Sequence, residues 1–448
     1  MFEKTKKIKL TCAQYLILGY LALILIGSLL LSLPISSKSR EFTPYLTSLF
    51  TSTSAACVTG LIVVDTAVHW SLFGQIVILF LIQIGGLGIM TFITLIAIAL
   101  GKKIGLYHRT VLMVSSNSIK LGGIIHLVRR IFAGTMLIEG TGAVILALRF
   151  CPEMGFWKGL YYAVFHSVSA FCNAGFDLMG FREEFSSLTY YSGDIVVNLT
   201  IAFLIILGGL GFFVWGDLMD NKWKLSKLKL HTKIVLAVNT VLILVPWILF
   251  FFLEKNASMQ GSSVWERIIM SFFQAVSPRT AGFNTINLAS LSDSGSLLTT
   301  VLMYIGGSPG STAGGIKTTT FIVIIMGTYA TIRNTDKIVI GKRQLDFRLV
   351  RQSLTIASLY LIAILTATFV ICAAEPYSLK DILFETTSAI GTVGLTTGIT
   401  PHLKSISHII LILLMFIGRV GALSLALAFG DRKKNPPLSR PVEDILIG

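Results

Sequence analysis

Charge is scarce in this 448-residue chain. Asp, Glu, Lys and Arg make up 13% of it, against about 25% in a soluble domain. With 54% hydrophobic residues and a mean hydropathy of +0.78, that scarcity excludes an ordinary soluble domain and marks an integral membrane protein. Acidic residues are scarcer than basic ones, 22 against 37, for a net charge of +15. Such an excess suits nucleic acid, but the basic residues sit in short loops between apolar spans, so no nucleic-acid partner is expected. Cysteine is sparse too. Cys12, Cys57, Cys151, Cys172 and Cys372 show neither metal-ligand spacing nor a disulfide framework, and four lie in or beside apolar stretches, as small buried residues do. The histidines (His69, His108, His126, His166, His231, His402, His408) do not cluster with Asp, Glu or Cys at ligand spacing. No phosphate-binding loop or nucleophile motif is present. These absences exclude an enzyme and any cofactor or nucleotide site in the chain. No span carries regularly spaced arginines, which excludes a voltage sensor.

What is present is a series of long apolar runs. A spanning helix needs about 20 apolar residues, and eight candidates appear: Tyr15–Leu33, Leu72–Leu100, Ile125–Leu148, Ile195–Trp215, Ile234–Leu253, Ser296–Ala330, Leu354–Ala373 and Ile406–Phe429. The first follows Lys4, Lys6, Lys7 and Lys9 but is too long for a signal peptide and lacks a small-residue cleavage site, so it is read as a retained span. Basic residues set the orientation. They fill the second-to-third connection (Lys102, Lys103, Arg109, Lys120, Arg129, Arg130), the fourth-to-fifth (Lys222, Lys224, Lys227, Lys229, Lys233), the sixth-to-seventh (Arg333, Lys337, Lys342, Arg343, Arg348, Arg351) and the tail (Arg432, Lys433, Lys434, Arg440). By the positive-inside rule all of these, and both termini, are cytoplasmic. The other side carries Glu41, Asp65, Asp177, Glu183, Glu184, Glu254, Asp293, Glu375 and Asp381. They are read either as an acidic face that concentrates cations or as an ordinary solvated surface.

Between the members of each span pair lies a short segment that repeats. FTSTSAACVTGL runs from Phe50 through Gly60, FHSVSAFCNAGF from Phe165 through Gly175, FFQAVSPRTAGF from Phe272 through Gly282, and FETTSAIGTVGL from Phe384 through Gly394. The glycines are 115, 107 and 112 residues apart (60 to 175, 175 to 282, 282 to 394). Such periodicity argues for four copies of one unit. The fourth copy, at Thr392-Val393-Gly394, resembles the TVGYG loop whose carbonyls replace the hydration shell of potassium in channels. Extended backbone at membrane depth has to be buried in protein or line a wet cavity. Four such loops around one axis make a cation filter from Cys57, Val58, Thr59 and Gly60; Cys172, Asn173, Ala174 and Gly175; Arg279, Thr280, Ala281 and Gly282; and Gly391, Thr392, Val393 and Gly394. The preceding helices point the negative ends of their dipoles at it. Gly is needed where inward carbonyls require φ > 0. For any single window, plain close packing of a membrane glycine is the competing reading.

The second span of each pair also has a signature: IQIGGLGIMTF from Ile82, LGGLGFFVW from Leu207, IGGSPGSTAGGIKTTTF from Ile305 and FIGRVGALSL from Phe416. Only the third is expected to be broken. Gly306, Gly307, Ser308, Pro309, Gly310, Ser311, Thr312, Ala313, Gly314 and Gly315 hold five Gly and one Pro, which disfavour a continuous helix by ~8 kcal/mol in sum. This intramembrane loop, with Lys317 near its inner end, is expected to gate the path below the filter. Arg419, at mid-span in the fourth copy, is read as a cationic barrier across the cavity, the alternative being a snorkelling surface residue. Glu139 in the third span is read as a structural partner.

At these residues the chain resembles the Trk/Ktr/HKT superfamily of potassium transporters, most closely its bacterial KtrB-type membrane subunit. The resemblance rests on VTGLIVVDT (Val58–Thr66), FCNAGF (Phe171–Phe176), PRTAGFN (Pro278–Asn284), STAGGIKTTTF (Ser311–Phe321) and GTVGLTTGITP (Gly391–Pro401). It implies an all-α fold of four span–pore loop–span repeats around one ion pathway: residues 1–105, 106–222, 223–335 and 336–430, followed by a cytoplasmic tail at 431–448. It also implies potassium uptake in a bacterial cell membrane, sodium as an activator in some members, a homodimer, and a cytosolic KtrA-type ring that carries the nucleotide. Members that conduct sodium often have Ser at the first filter glycine, so Gly60 points to potassium. An alternating-access cation symporter is the alternative. It predicts inverted repeats and broken helices, whereas these repeats run parallel and only one broken helix is expected.

Overall fold

The structure is a computed structural model and describes residues 11–100, 124–335, 338–340 and 343–421. Lys102, Lys103, Arg109, Lys120, Lys337, Lys342 and the basic tail lie outside the described residues. The elements alternate long and short helices: α1 (Cys12–Ser32), α2 (Tyr45–Cys57), α3 (Leu72–Leu87), α4 (Ile89–Ala99), α5 (Ile124–Met154), α6 (Phe156–Phe171), α7 (Ile195–Leu210), α8 (Phe212–Asp220), α9 (Leu230–Leu253), α10 (Val264–Val276), α11 (Asp293–Tyr304), α12 (Thr318–Ile332), α13 (Phe347–Ala374), α14 (Leu379–Gly391) and α15 (Ser405–Val420). A two-stranded antiparallel hairpin, β1 (Ile338–Ile340) and β2 (Arg343–Leu345), joins α12 to α13. The helical expectation did not include it. Ile338 buries itself against Ala330 and Val350 there, which anchors the hairpin to the ends of both helices.

By length and composition α1, α5, α9 and α13 can each cross a membrane, and two bent pairs, α3–α4 and α7–α8, add two more spans among the described residues. Burial is inverted relative to a soluble domain. The long helices expose apolar side chains such as Leu29, Leu148, Phe252 and Phe369, while in α2 Ser48, Thr51, Ser52, Thr53 and Ser54 are buried. Apolar lipid on one side and a small-residue, hydroxyl-rich interior on the other produce this arrangement.

The expectation of one broken span needs correction. α3–α4 bends by 97° and α7–α8 by 89°, at Gly88 (φ 84, ψ 132) and Gly211 (φ 97, ψ 138). Gly421 after α15 has nearly the same backbone, φ 89 and ψ 124. A Cβ disfavours this region, so a single glycine at the same place turns the chain in two second spans, and Gly421 carries the same backbone at the end of the fourth copy's described residues. Hydropathy misses these breaks because LGGLG stays apolar throughout and one Gly costs a helix only about 1 kcal/mol. A Cβ on Gly88 meets nothing nearer than Thr91 Oγ1 at 4.0 Å, so Gly88→Ala isolates the backbone effect. It is expected to lower the thermal stability of the detergent-solubilised protein by the equivalent of about 1–2 kcal/mol. An unchanged melting temperature refutes the strain argument.

Several of the acidic residues also have structural work. Glu254, at the end of α9, accepts from Ser258 Oγ (2.7 Å) and from Ser292 Oγ (2.6 Å), the residue that caps α11. Glu375, after α13, accepts from Lys404 N and Ser407 Oγ, both at 2.7 Å, at the start of α15. Arg149 near the end of α5 holds Asp194, the cap of α7, at 2.6 Å. Each bond ties a long helix to the next crossing and so fixes the short helix between them. Asp65 caps a one-turn helix through Ala67 N and Val68 N and also accepts from Phe185 N. These carboxylates are therefore not simply a solvated acidic face.

Candidate functional site

Three of the four short helices end alike. In α2, Val58 N donates to Ala55 O (3.2 Å) and Thr59 N to Ser54 O (2.8 Å). In α6, Asn173 N donates to Ala170 O (3.1 Å) and Ala174 N to Ser169 O (2.8 Å). In α14, Thr392 N donates to Ala389 O (3.1 Å) and Val393 N to Ser388 O (2.9 Å). This paired closure needs a left-handed residue at the turn. Val58 (φ 58), Asn173 (φ 60) and Thr392 (φ 50) adopt it, as does Thr280 (φ 73) after α10. Three of the four are neither Gly nor Asn, and a β-branched residue with φ > 0 is a strained one. In the third copy the turn is one residue tighter, with Ala281 N donating to Ser277 O (2.9 Å). The buried phenylalanine matching Phe50, Phe165 and Phe384 is accordingly Phe273, while Phe272, where the sequence window begins, is only half-buried.

Two residues beyond each turn stands the glycine, with φ 93 at Gly60, 70 at Gly175, 82 at Gly282 and 91 at Gly394. Their neighbours close a ring. A Cβ on Gly60 lies 2.5 Å from Ala174 O, one on Gly175 lies 2.8 Å from Ala281 O, and one on Gly282 lies 2.5 Å from Val393 O. One on Gly394 collides with Thr59 O. Each glycine thus abuts the carbonyl that precedes the next glycine, in chain order, and the fourth returns to the first. Serines at the helix ends brace the strands: Gly60 N donates to Ser54 Oγ (3.0 Å), Gly394 N to Ser388 Oγ (3.1 Å), and Ser169 Oγ to Phe176 O (2.7 Å). Ser277 Oγ donates to Phe283 O.

The side chains that open the predicted strands face elsewhere. Cys57 joins an apolar cluster with Ile364 and Met415. Cys172 Sγ lies 3.7 Å from Gln83 Oε1 and 3.8 Å from Glu139 Oε1, which gives Glu139 the structural role expected of it. Arg279 donates to Asn239 in α9. Cys57 and Gly391 are the last residues of α2 and α14. The contacts that close the ring are therefore made by backbone, each glycine against a carbonyl oxygen of the next strand.

Against this ring, at Thr392 and Gly391, the chain from Ile305 to Lys317 is unwound between α11 and α12. Ser308 N donates to Gly209 O (3.0 Å), Thr312 N to Gly208 O (3.2 Å), and Phe212 N to Gly310 O (2.7 Å). Thr312 Oγ1 reaches Phe171 O at the end of α6 (3.1 Å). Lys317 Nζ donates back to Ala313 O (2.7 Å) and Gly314 O (3.3 Å). Gly310 and Gly315 have φ of 67 and 63, and Gly314 packs against the Thr392 hydroxyl with no room for a Cβ. Arg419 is not across a cavity from this stretch. It is bonded to it, donating to Thr312 O and, on the other side, to Gly85 O and Gly86 O. A cavity of ≈ 290 Å³ lies here, lined among others by Gly86, Phe212, Gly310, Lys317 and Arg419.

A family model described as a cation transport protein, TrkH, matches residues 4–436. The chain belongs to the TrkH family. It is a multi-pass membrane transporter and not an enzyme. It is 40% identical to "Ktr system potassium uptake protein B" of Bacillus subtilis, over 96% of this chain and 95% of that one. It is 38% identical to "Potassium/sodium uptake protein NtpJ" of Enterococcus hirae over the full length of both. The crystal structure of the potassium transporter TrkH from Vibrio parahaemolyticus superposes with a TM-score of 0.72 at 18% identity, covering 95% of this chain and 86% of that one, and so shares the fold.

Two residues of this TrkH-family site escaped the sequence reading. Glu385, buried in α14, accepts from Thr397 N (3.2 Å), Thr400 Oγ1 (2.8 Å) and Thr396 Oγ1, all in the loop leaving Gly394. His166, buried in α6, accepts from Leu178 N (3.3 Å) on Nε2, while Nδ1 faces Tyr162 O (2.7 Å), an acceptor that requires the proton there. Thr397 and Leu178 each stand three residues past their glycine, so the two side chains hold the same backbone amide in two copies. The available signal was a large polar residue directly after the phenylalanine that opens the window, His166 after Phe165 and Glu385 after Phe384. Glu385→Leu is expected to remove the acceptor of Thr397 N–H and leave that donor unpaired, at about 1–3 kcal/mol. Thermal unfolding in detergent checks this, and an unaltered midpoint refutes the clamp.

Proposed function

We propose that this chain takes up potassium across the bacterial cell membrane as the ion-translocating subunit of a Ktr/Trk-type system. The observation that carries the reading is the ring in which each of Gly60, Gly175, Gly282 and Gly394 abuts the carbonyl beside the next. In this reading the four strands are the selectivity filter, the residues around it form four span–pore loop–span repeats divided near 105, 222 and 335, and both termini are cytoplasmic. Gly306–Gly315 with Lys317 and Arg419 is the gate. The names of the relatives from Bacillus subtilis and Enterococcus hirae support potassium as cargo, and the second also names sodium, in line with sodium as an activator. The working assembly is a homodimer with a cytosolic nucleotide-binding ring. The driving force is the membrane potential, about 2.3 kcal/mol per K⁺ at 100 mV.

A second reading, alternating-access cation symport, draws on the breaks at Gly88 and Gly211, since broken spans mark such transporters. Purified protein in liposomes decides between them. Passive Rb⁺ uptake that needs no co-ion gradient and is blocked by excess K⁺ supports the first; uptake strictly coupled to a Na⁺ or H⁺ gradient supports the second. Restored growth of a potassium-uptake-deficient cell at low K⁺ is expected in either case, and its failure rejects both.

The basic loops at residues 222–233 and 333–351 are proposed to dock the regulatory ring. Neutralising their Lys and Arg residues in groups is expected to abolish co-purification of that ring. Binding that survives full neutralisation leaves these charges only their role in orienting the spans.

A further inference from the structure

One side chain joins the third strand of the ring to the unwound stretch. Asn239 is buried in the middle of α9. Its Nδ2 donates to Val235 O (2.6 Å) and to Ser308 Oγ (3.1 Å), and its Oδ1 accepts from Arg279 Nη2. The amide orientation follows from its partners, because a guanidinium only donates and a backbone carbonyl only accepts. Both Nδ2 protons and the oxygen are therefore committed. Ser308 Oγ also accepts from Thr318 Oγ1 (3.2 Å) at the start of α12, so the relay reaches both ends of the unwound stretch.

The strand end of the relay is a buried cation. Arg279 is 7% exposed, pairs with no carboxylate among the described residues, and its Nε has no hydrogen-bond partner there. It lies three residues before Gly282, in the copy whose turn is one residue tighter. A charge in such surroundings acts strongly on a nearby cation, so a small displacement of the guanidinium changes how tightly an ion is held. If Ser308 withdraws, Asn239 either keeps an unpaired buried N–H or rotates to find a partner, and rotation takes Oδ1 from Arg279.

We propose that Asn239 is a positioning residue that couples the intramembrane stretch to the third filter strand, so that movement of the stretch alters ion affinity as well as access. The inference rests on the filter and gate reading above. A purely structural asparagine supports α9 through Val235 O and transmits nothing.

The test is Rb⁺ uptake by purified protein in liposomes, read as KM and maximal rate, for wild type, Ser308→Ala, Asn239→Leu and the double variant. Leucine fills a similar volume and bonds neither Ser308 nor Arg279, which cuts the relay; aspartate would not cut it, because the Ser308 hydroxyl donates to a carboxylate. Ser308→Ala is expected to shift KM by ~5-fold or more in the wild-type background and by under ~2-fold in the Asn239→Leu background, the non-additivity expected of residues in one network. Ser308→Thr keeps the hydroxyl and is expected to bring KM back toward the wild-type value relative to Ser308→Ala. If Asn239→Leu does not assemble, the contrast between Ser308→Ala and Ser308→Thr decides alone. A change of maximal rate with KM untouched, or equal KM shifts in both backgrounds, overturns the relay. Absence of Rb⁺ uptake by the wild-type protein overturns the filter and gate reading itself, whereas a Gly60→Ser selectivity defect alongside an unshifted Ser308→Ala KM rejects the relay alone.

Discussion

Gly60→Ser is expected to admit Na⁺ and to lower the preference for K⁺ by roughly 5- to 150-fold. The estimate converts about 1–3 kcal/mol of backbone strain into a ratio of affinities. Two independent features set it. The φ of 93 is one that L side chains rarely adopt, and a Cβ stands 2.5 Å from Ala174 O and 3.1 Å from Gly175 Cα. The strand has to shift, and the carbonyl it shifts belongs to the next strand of the ring. Gly394→Ser is expected to be at least as severe, because its Cβ overlaps Thr59 O beside Gly60. Gly175→Ser is expected to be mildest, since φ 70 lies near the left-handed region open to other residues and the nearest oxygen is 2.8 Å away. Parallel Rb⁺ and Na⁺ flux measurements in liposomes check the order. Unchanged selectivity in all four glycine variants rejects the filter assignment.

Arg419→Ala is expected to raise uptake in the absence of the regulatory ring, with K⁺ preference retained. Arg419 holds Thr312 O on the unwound stretch and Gly85 O and Gly86 O at the end of α3. Hydrogen bonds to a charged group contribute about 1.5–3 kcal/mol each, so their loss frees the stretch from the first copy's second span. The remaining bonds to Gly208, Gly209 and Phe171 stay in place, which keeps the second-copy strand supported and selectivity intact. Arg419→Lys is expected to fall between, because a point charge cannot bridge several carbonyls as the planar fork does. Deleting residues 308–312 is a less specific probe, since it removes those other bonds as well and disturbs Phe171 directly beside the ring. Flux that remains low in folded Arg419→Ala protein rejects the gate.

The most legible parts of this molecule were those in which local composition leaves little freedom. Long apolar runs such as Ile234–Leu253 form helices in lipid whatever surrounds them. The four glycine windows were visible because each needs the same backbone at the same place. The stretch from Gly306 to Gly315 announced its unwinding through five glycines and a proline. The breaks at Gly88 and Gly211 were hidden, because one glycine in an apolar run is a weak signal until the turn beneath it has a reason to form. The offset that makes Phe273 rather than Phe272 the buried partner was hidden too, since two adjacent phenylalanines give the same window in sequence.

Sequence alone therefore determined the membrane environment, the fourfold recurrence and the four glycines that close the repeated windows, all properties of short segments and of their repetition. The tertiary structure alone decided which carbonyl each glycine meets, that Arg419 grips the unwound stretch instead of facing it, and that Glu385, His166 and Asn239 hold the strands. These are contacts between groups far apart in the chain, the hydrogen bond from Arg419 to Gly85 O spanning 334 residues. A hydrogen bond over that separation leaves no periodicity in the chain, and its partners become neighbours only when the helices pack.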